Sequence, residues 1–139
     1  MGKLKLLKPL DSIHPYRLEM QSKLKIDDKN LYDFWGSKLY ESLYEVDNCV
    51  VNLASEEYAK AIRKYIKPND TFIDIVFHST VRGRRQTITT MAKMARGSMA
   101  GYISENAIDK PEALKHFDWD GFTYIKELSY PTRYVFTIA

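Results

Sequence analysis

Lys93 and Arg96 lie three residues apart in the stretch MAKMARGSMAG, residues 91–101, and Gly97 follows directly. On a helix this spacing puts both cations on one side, where Arg offers a planar fork for phosphate or carboxylate and Lys a compact charge. A glycine costs about 0.8–1 kcal/mol relative to alanine inside a helix, so Gly97 and Gly101 need a reason. One interpretation is close approach of a phosphate, base or backbone. The other is a close crossing by a neighbouring element, with the cations paired to acids.

A helix is predicted over residues 91–106, with two unlike faces. At 100° per residue its apolar face, predicted to be core, carries Met91, Met94, Ala95, Ser98, Met99, Tyr102 and Ile103. The opposite face carries Lys93, Arg96, Gly97 and Ala100, with Gly101 at its edge and Ser104 one turn on. A solvated helix face usually carries long polar residues, so this bare, cationic face is unusual.

Basic residues are clustered although the net charge is only +3. No Asp or Glu occurs between Ile75 and Ser104, a segment that also holds Arg82, Arg84 and Arg85. A second cluster lies upstream and comprises Lys60, Arg63, Lys64 and Lys67. Such clustering is typical of surfaces that bind phosphates or nucleic acid, although solvated side chains with acidic partners elsewhere in the fold give the same pattern.

A second hypothesis is an enzyme, or a binder of a nucleotide-like or other anionic small molecule. In PYRLEM, residues 15–20, an arginine and a glutamate flank a leucine, which predicts either a surface ion pair or a pocket lining. Asn52 and Ser55 follow a predicted strand, where open α/β sheets commonly bind ligands. In PYRLEM the pocket lining would be Tyr16, Arg17 and Glu19. The hypothesis predicts that one pocket brings together Arg17, Glu19, Asn52, Lys93 and Arg96, with Glu19 as the candidate general acid or base.

Several classes of site have no sequence signal. The chain has neither GxGxxG nor a Walker-type loop, and its three histidines lack metal-ligand spacing, so we expect no metal and no cofactor. The single cysteine, Cys49, cannot form an internal disulfide. No apolar run is long enough to cross a membrane, and the N-terminus does not resemble a signal peptide. We therefore expect a cytoplasmic protein without membrane association.

The elements that must position these residues follow from periodicity and from turn residues. Gly83 predicts a tight turn between two antiparallel strands, and alternating strands and helices predict an α/β or α+β class with a mixed sheet, in a single domain over residues 1–139. The predicted helices span 30–44, 55–67, 91–106 and a short segment after Pro111; the predicted strands span 48–55, 71–80, 85–90 and 132–139; residues 118–121 form a turn.

Five blocks of sequence together resemble the YaaA family of bacterial peroxide-stress proteins, in its C-terminal part. In chain order they are KPLDSIHPYRLEM, LYDFWG, VVNLASEEY, AKMARGSMAGYI and FDWDGFTY. The family pattern aKkARG corresponds to Lys93, Arg96 and Gly97. The resemblance implies a cytoplasmic mixed α/β fold with a positively charged cleft, a role in surviving hydrogen peroxide by limiting iron-driven oxidative damage, and DNA binding, in part through a helix-hairpin-helix element.

One departure from the family concerns the N-terminal side. Family members carry a substantial portion before the PLD block, whereas this sequence begins almost at that block. The resemblance therefore predicts a shortened form that self-associates or needs a separately encoded N-terminal partner, because a sheet without its first strand exposes an edge. A fragment that keeps the fold without the activity is the third alternative.

Overall fold

The computed structural model describes residue 7, residues 10–15 and residues 17–138. These divide into two compact units. The sheet unit comprises Cys49–Leu53 and Thr71–Ala139; the helical unit comprises Met1–Asn48 and Ala54–Asp70, in each case as far as it is described. The predicted class is confirmed, since helices accompany a mixed sheet of five strands in the described part of the chain. The single domain stays a prediction.

The sheet unit is built around β2, Thr71–Val81. β1, Cys49–Asn52, and β5, Arg133–Ile138, lie parallel to β2 on either side, in the strand order β1-β2-β5-β4. β4, Thr123–Tyr124, pairs antiparallel with β5, and β3, Arg84–Gln86, pairs antiparallel with β2. β1 is an edge strand, and its only pairing among the described residues is with β2.

Alternation along β2 gives the sheet its buried face. Ile73, Ile75 and Phe77 are buried, whereas Asp74, Val76 and His78 between them are only half-buried, as expected when successive side chains point to opposite faces. Helix α4, Thr89–Glu105, and a 3-10 helix, Pro111–His116, belong to the same unit. The core cluster is completed by Ala92, Ala95, Met99, Leu114, Phe117, Phe122, Tyr134 and Phe136.

Several predicted elements of this unit are confirmed with changed bounds. The strand predicted over 85–90 is shorter, since β3 ends at Gln86 and α4 already begins at Thr89. The turn predicted over 118–121 is present, with positive φ at Asp120 and Gly121. The two-residue strand β4 that follows it was not predicted, because so short an element has no periodicity to recognise.

The helical unit corrects two predictions. The helix predicted from Asn30 to Tyr44 is two helices, α1 over Leu31–Trp35 and α2 over Lys38–Tyr44. The Asn30 side chain caps α1 by accepting from the Asp33 N–H at 2.8 Å. Gly36 ends α1 with φ +51°, a backbone conformation that no helix continues.

α3, Glu56–Arg63, ends sooner than Lys67, where the sequence predicted its end. Ser55 occupies the N-cap position with extended backbone, but its hydroxyl makes no capping hydrogen bond. No helix in the described part of the chain combines the length and the apolar character that crossing a membrane requires.

Within the helical unit, a hydrogen bond from Tyr40 connects α2 to the segment after α3. Its hydroxyl donates to Oδ2 of Asp70 at 2.6 Å, and that oxygen also accepts from the Lys67 backbone N–H at 2.8 Å. The hydrogen bond to Asp70 raises the pKa of Tyr40 to about 12 from 10.0. The same bond, with that from Lys67, lowers the pKa of the Asp70 carboxyl below its usual 3.8.

Tyr40→Phe is therefore expected to destabilise the helical unit in a pH-dependent way. A raised tyrosine pKa stabilises the fold fully below pH 10.0, and this contribution disappears as the pH rises through about 12. The depressed pKa of Asp70 contributes stability above pH 3.8, and this stability is lost as the pH falls below that value. Urea unfolding should show that the substitution lowers the free energy of unfolding by a constant amount from about pH 5 to about pH 9. The difference from the unmodified chain should shrink at more acidic and at more alkaline pH. A loss independent of pH over the whole range would contradict this assignment.

Candidate nucleic-acid interface

The hairpin formed by β2 and β3 carries three arginines at its end. Arg82 and Gly83 form the two-residue turn, with φ +51° and +74°, which is the positive-φ pair of a type I′ hairpin turn. Arg84 and Arg85 follow in β3 opposite Val81 and Thr80. All three arginines are exposed, and Arg82 and Arg84 line a shallow depression of about 590 Å³ together with Val81 and Gln86.

Helix α4 presents the predicted bare, cationic face to solvent. Lys93, Gly97, Ala100 and Ser104 are exposed, one to two turns apart along the helix. Arg96 is half-buried, and its Nε donates to the Ala92 carbonyl, one turn back, at 3.1 Å. We refer to Lys93, Arg96, Gly97, Ala100 and Ser104, with Gly101 at the edge, as the bare face of α4.

The two glycines of α4 are not explained by packing. A Cβ built on Gly97 or on Gly101 meets no atom of the described residues within 4 Å outside the helix's own turns. The interpretation that a neighbouring element crosses closely here is therefore wrong for the described elements of the sheet unit. The glycines leave open space beside Lys93.

The predicted core face of α4 is correct except at one position. Ala95 and Met99 are fully buried, and Met91, Tyr102 and Ile103 pack against the core cluster. Met94, by contrast, is 57% exposed. It lies at the edge of the predicted apolar face, next to Lys93, and Ala92 occupies the core position instead.

Five cations lie between residues 82 and 96, and none of them has an acidic partner among the described residues of the sheet unit. No described carboxylate of that unit lies within 4.0 Å of a charged nitrogen of these side chains, which are Arg82, Arg84, Arg85, Lys93 and Arg96. This agrees with the acid-free sequence around them and shows in addition that no described acid from elsewhere in the sheet unit neutralises their charge.

The upstream basic cluster of the helical unit is different, because its side chains are engaged within that unit. Arg63 pairs with Glu56 at 2.8 Å. The three lysines each lie over a tyrosine ring: Lys60 is 5.3 Å from Tyr32, Lys64 5.1 Å from Tyr65 and Lys67 5.6 Å from Tyr40. These contacts within the helical unit account for the upstream cluster without a ligand.

Arg17 and Glu19 form the surface ion pair that was one of the two predictions for PYRLEM. Arg17 Nη2 lies 2.6 Å from Glu19 Oε1, and both side chains are largely exposed. Both residues belong to the helical unit, as does Ser55, whereas Asn52, Lys93 and Arg96 belong to the sheet unit. The predicted convergence of these residues on one pocket, with Glu19 as acid or base, stays a prediction, and Tyr16 lies outside the described residues.

Asn52 is fixed by the register of the parallel strands. It lies opposite Asp74, and its Nδ2 donates to Asp74 Oδ1 at 2.7 Å. Arg133 is the next residue across the sheet at this level. Sequence reasoning missed Arg133, since only the register reveals that it shares a face with Asn52 and Asp74.

His78 lies on that same sheet face, half-buried, between two cations. Burial lowers the pKa of His78, and Arg133 and Arg85 lower it further because their charges oppose protonation. The Nε of Arg133 is buried and makes no hydrogen bond with the described residues. Burial and the two neighbouring cations therefore disfavour the protonated form of this imidazole. No group of three or more potential metal ligands occurs among the residues described.

The sheet unit thus combines a mixed α/β sheet with a group of exposed basic side chains that no described acid of the same unit neutralises. Comparison with known proteins then gives the family. Residues 6–128 match the family model described as peroxide stress protein YaaA, and this chain belongs to that family.

Curated relatives agree with this assignment. A UPF0246 protein of Agathobacter rectalis is 45% identical over 131 residues, which are 94% of this chain and 53% of the relative. UPF0246 proteins of Lacticaseibacillus paracasei and Ligilactobacillus salivarius are 45% and 46% identical over 132 residues, with the same coverage of 94% and 53%. The chain thus spans about half the length of the curated relatives it matches.

Proposed function

We propose that this chain is a DNA-binding part of a cytoplasmic peroxide-stress protein, and that it holds the phosphate backbone of DNA on the basic surface of its sheet unit. The family supplies the peroxide-stress role. The binding surface consists of the bare face of α4 and the three arginines of the β2–β3 hairpin.

The observation that carries the proposal is the set of five cations without described acidic partners within fifteen residues of sequence, Arg82 to Arg96. Surface arginines and lysines that serve only solubility are usually interspersed with acids. A concentrated, uncompensated set instead attracts a polyanion and releases its counterions on binding.

Each part of the surface has a distinct role in this proposal. Lys93 and Arg96 contact phosphate oxygens, and the hydrogen bond from Arg96 Nε to Ala92 fixes its guanidinium close to the helix. Gly97 and Gly101 let the backbone of the nucleic acid approach the helix axis, since no side chain stands there. Phosphate contacts dominate, so the binding is strong at low salt and largely independent of sequence.

Fluorescence anisotropy of a labelled DNA duplex, titrated at several salt concentrations, tests the proposal. Each phosphate contact contributes about −0.9 to the slope of log K against log salt concentration. Lys93→Ala/Arg96→Ala should therefore flatten the slope by about 1.8 and weaken binding about 10–100-fold at about 0.1 M salt.

The matched control is Lys110→Ala/Lys126→Ala, which removes two exposed charges from the same unit beside Asp109 and Glu127. This variant should bind nearly as the unmodified chain does. Equal losses in both variants would mean that only net charge matters. Absence of salt-sensitive binding by the unmodified chain at low salt would rule the proposal out.

A further inference from the structure

The end of the β2–β3 hairpin is a two-stranded ribbon that continues past the last described pair between β2 and β5. Ser79 is the last residue of β2 that pairs with β5 in the described chain, opposite Ile138. Among the residues that the structure describes, the two arms pair only with each other from Thr80 to Arg85. At about 3.3 Å per residue, three residues per arm extend the ribbon about 10 Å beyond the sheet.

The arginines of this ribbon face both ways. Thr80 pairs with Arg85 and Val81 with Arg84. Because paired residues share a face and successive residues alternate, Arg84 lies on one face of the ribbon and Arg85 on the other. Arg82 occupies the turn between them. The ribbon therefore carries a guanidinium on each face and one at its tip.

We propose that this ribbon inserts into the major groove of B-form duplex DNA, with Arg84 and Arg85 contacting the phosphates of the two opposing strands. The inference rests on the proposed function and specifies its ligand. A major groove is about 12 Å wide and about 8.5 Å deep and admits a two-stranded β-ribbon, which fits a ribbon about 10 Å long.

Charge on both faces is what distinguishes a groove from other nucleic-acid surfaces. A groove has a phosphate wall on each side, so it satisfies Arg84 and Arg85 at once. A single strand presents one backbone and satisfies one face, leaving the other arginine in solvent. An RNA duplex is A-form, and its major groove is too narrow for side chains to read. The ribbon thus favours duplex DNA over both.

The inference is tested with three probes of one sequence: a DNA duplex, an RNA duplex and single-stranded DNA. Binding to the DNA duplex should be tightest at equal salt. Arg84→Ala and Arg85→Ala should each flatten the salt slope for the DNA duplex by about 0.9, and together weaken binding about 10–100-fold at about 0.1 M salt. For single-stranded DNA, the double substitution should cost no more than one of the single ones. Thermal unfolding checks that these exposed substitutions leave the fold intact, and Lys110→Ala/Lys126→Ala is again the charge-matched control.

Dimethyl sulfate footprinting locates the groove, since guanine N7 lies in the major groove and adenine N3 in the minor groove. Saturating protein should protect guanine N7, and Arg84→Ala/Arg85→Ala should abolish that protection. Unprotected N7, protection that survives the substitutions, or equal affinity for the RNA duplex would overturn the inference. If salt-sensitive binding of the DNA duplex persists in that case, the proposed function stands while groove insertion fails. If no probe is bound at low salt, the proposed function itself fails.

Discussion

Phe136→Ala is expected to lower the free energy of unfolding of the sheet unit by about 3–5 kcal/mol. Phe136 lies on β5 and is fully buried. Its ring centre is 5.3 Å from that of Phe77 on β2, 5.9 Å from that of Phe117 and 5.8 Å from that of Tyr124 on β4. Truncation removes the apolar contacts and leaves a cavity that three neighbouring rings are too rigid to fill.

Urea unfolding followed by circular dichroism measures this loss, with Tyr130→Ala as the control. Tyr130 belongs to the same unit but is 55% exposed, so its truncation should change stability by no more than about 0.5 kcal/mol. Phe136→Leu keeps most of the side-chain volume, so it should lower the free energy of unfolding much less than Phe136→Ala does. A loss below about 1 kcal/mol for Phe136→Ala would mean that β5 does not sit at the centre of this core.

Local sequence patterns were sufficient for the elements that carry the candidate interface. Buried and less buried residues alternate along β2, and Gly83 marks the turn, so the hairpin could be predicted. The residues that follow change to a helical period, and the predicted start of α4 is two residues from the observed one. In these segments the side-chain pattern and the turn residue favour the same structure, which is when such prediction works.

The predictions from sequence were wrong or incomplete where tertiary packing or a single backbone angle determines the structure. Gly36 breaks a helix whose apolar stripe continues across the break, because its positive φ overrides the pattern. Met94 falls within the apolar arc of α4, yet only the packing around the helix determines which edge of that arc is covered. Strand order has no local signal at all, so the pairing of β2 with β5 could not be foreseen.

The same division applies to the candidate interface. The sequence shows that no acid lies near Lys93 and Arg96 along the chain, but acids distant in sequence could still have paired with them. Only the fold reveals that no described carboxylate of the sheet unit does. The upstream cluster makes the point by contrast: its sequence is equally basic, and yet Glu56 and three tyrosine rings engage it.

The glycines of α4 give the second large prediction, in which stability and binding change in opposite directions. Gly97→Gln/Gly101→Gln should raise the free energy of unfolding by about 1 kcal/mol, since glutamine is a better helix former than glycine. Neither new Cβ meets an atom of the described residues within 4 Å, so no overlap offsets the gain. Thermal and urea unfolding measure this gain, and Gly97→Ala/Gly101→Ala should give a larger one of about 1.6–2 kcal/mol, because alanine is the best helix former.

DNA binding should fall at least about tenfold in the glutamine variant, or about 1.4 kcal/mol, and less in the alanine variant. Glutamine side chains would fill the space beside Lys93 and hold the phosphate backbone away from Arg96. The hydrogen bond from Arg96 to the Ala92 carbonyl keeps the guanidinium close to the helix, so it could not follow the displaced backbone. Anisotropy at fixed salt measures the loss without any change in net charge. A more stable glutamine variant that binds as tightly as the unmodified chain would show that DNA does not approach this face, and the cost of two glycines in the helix would then need another cause.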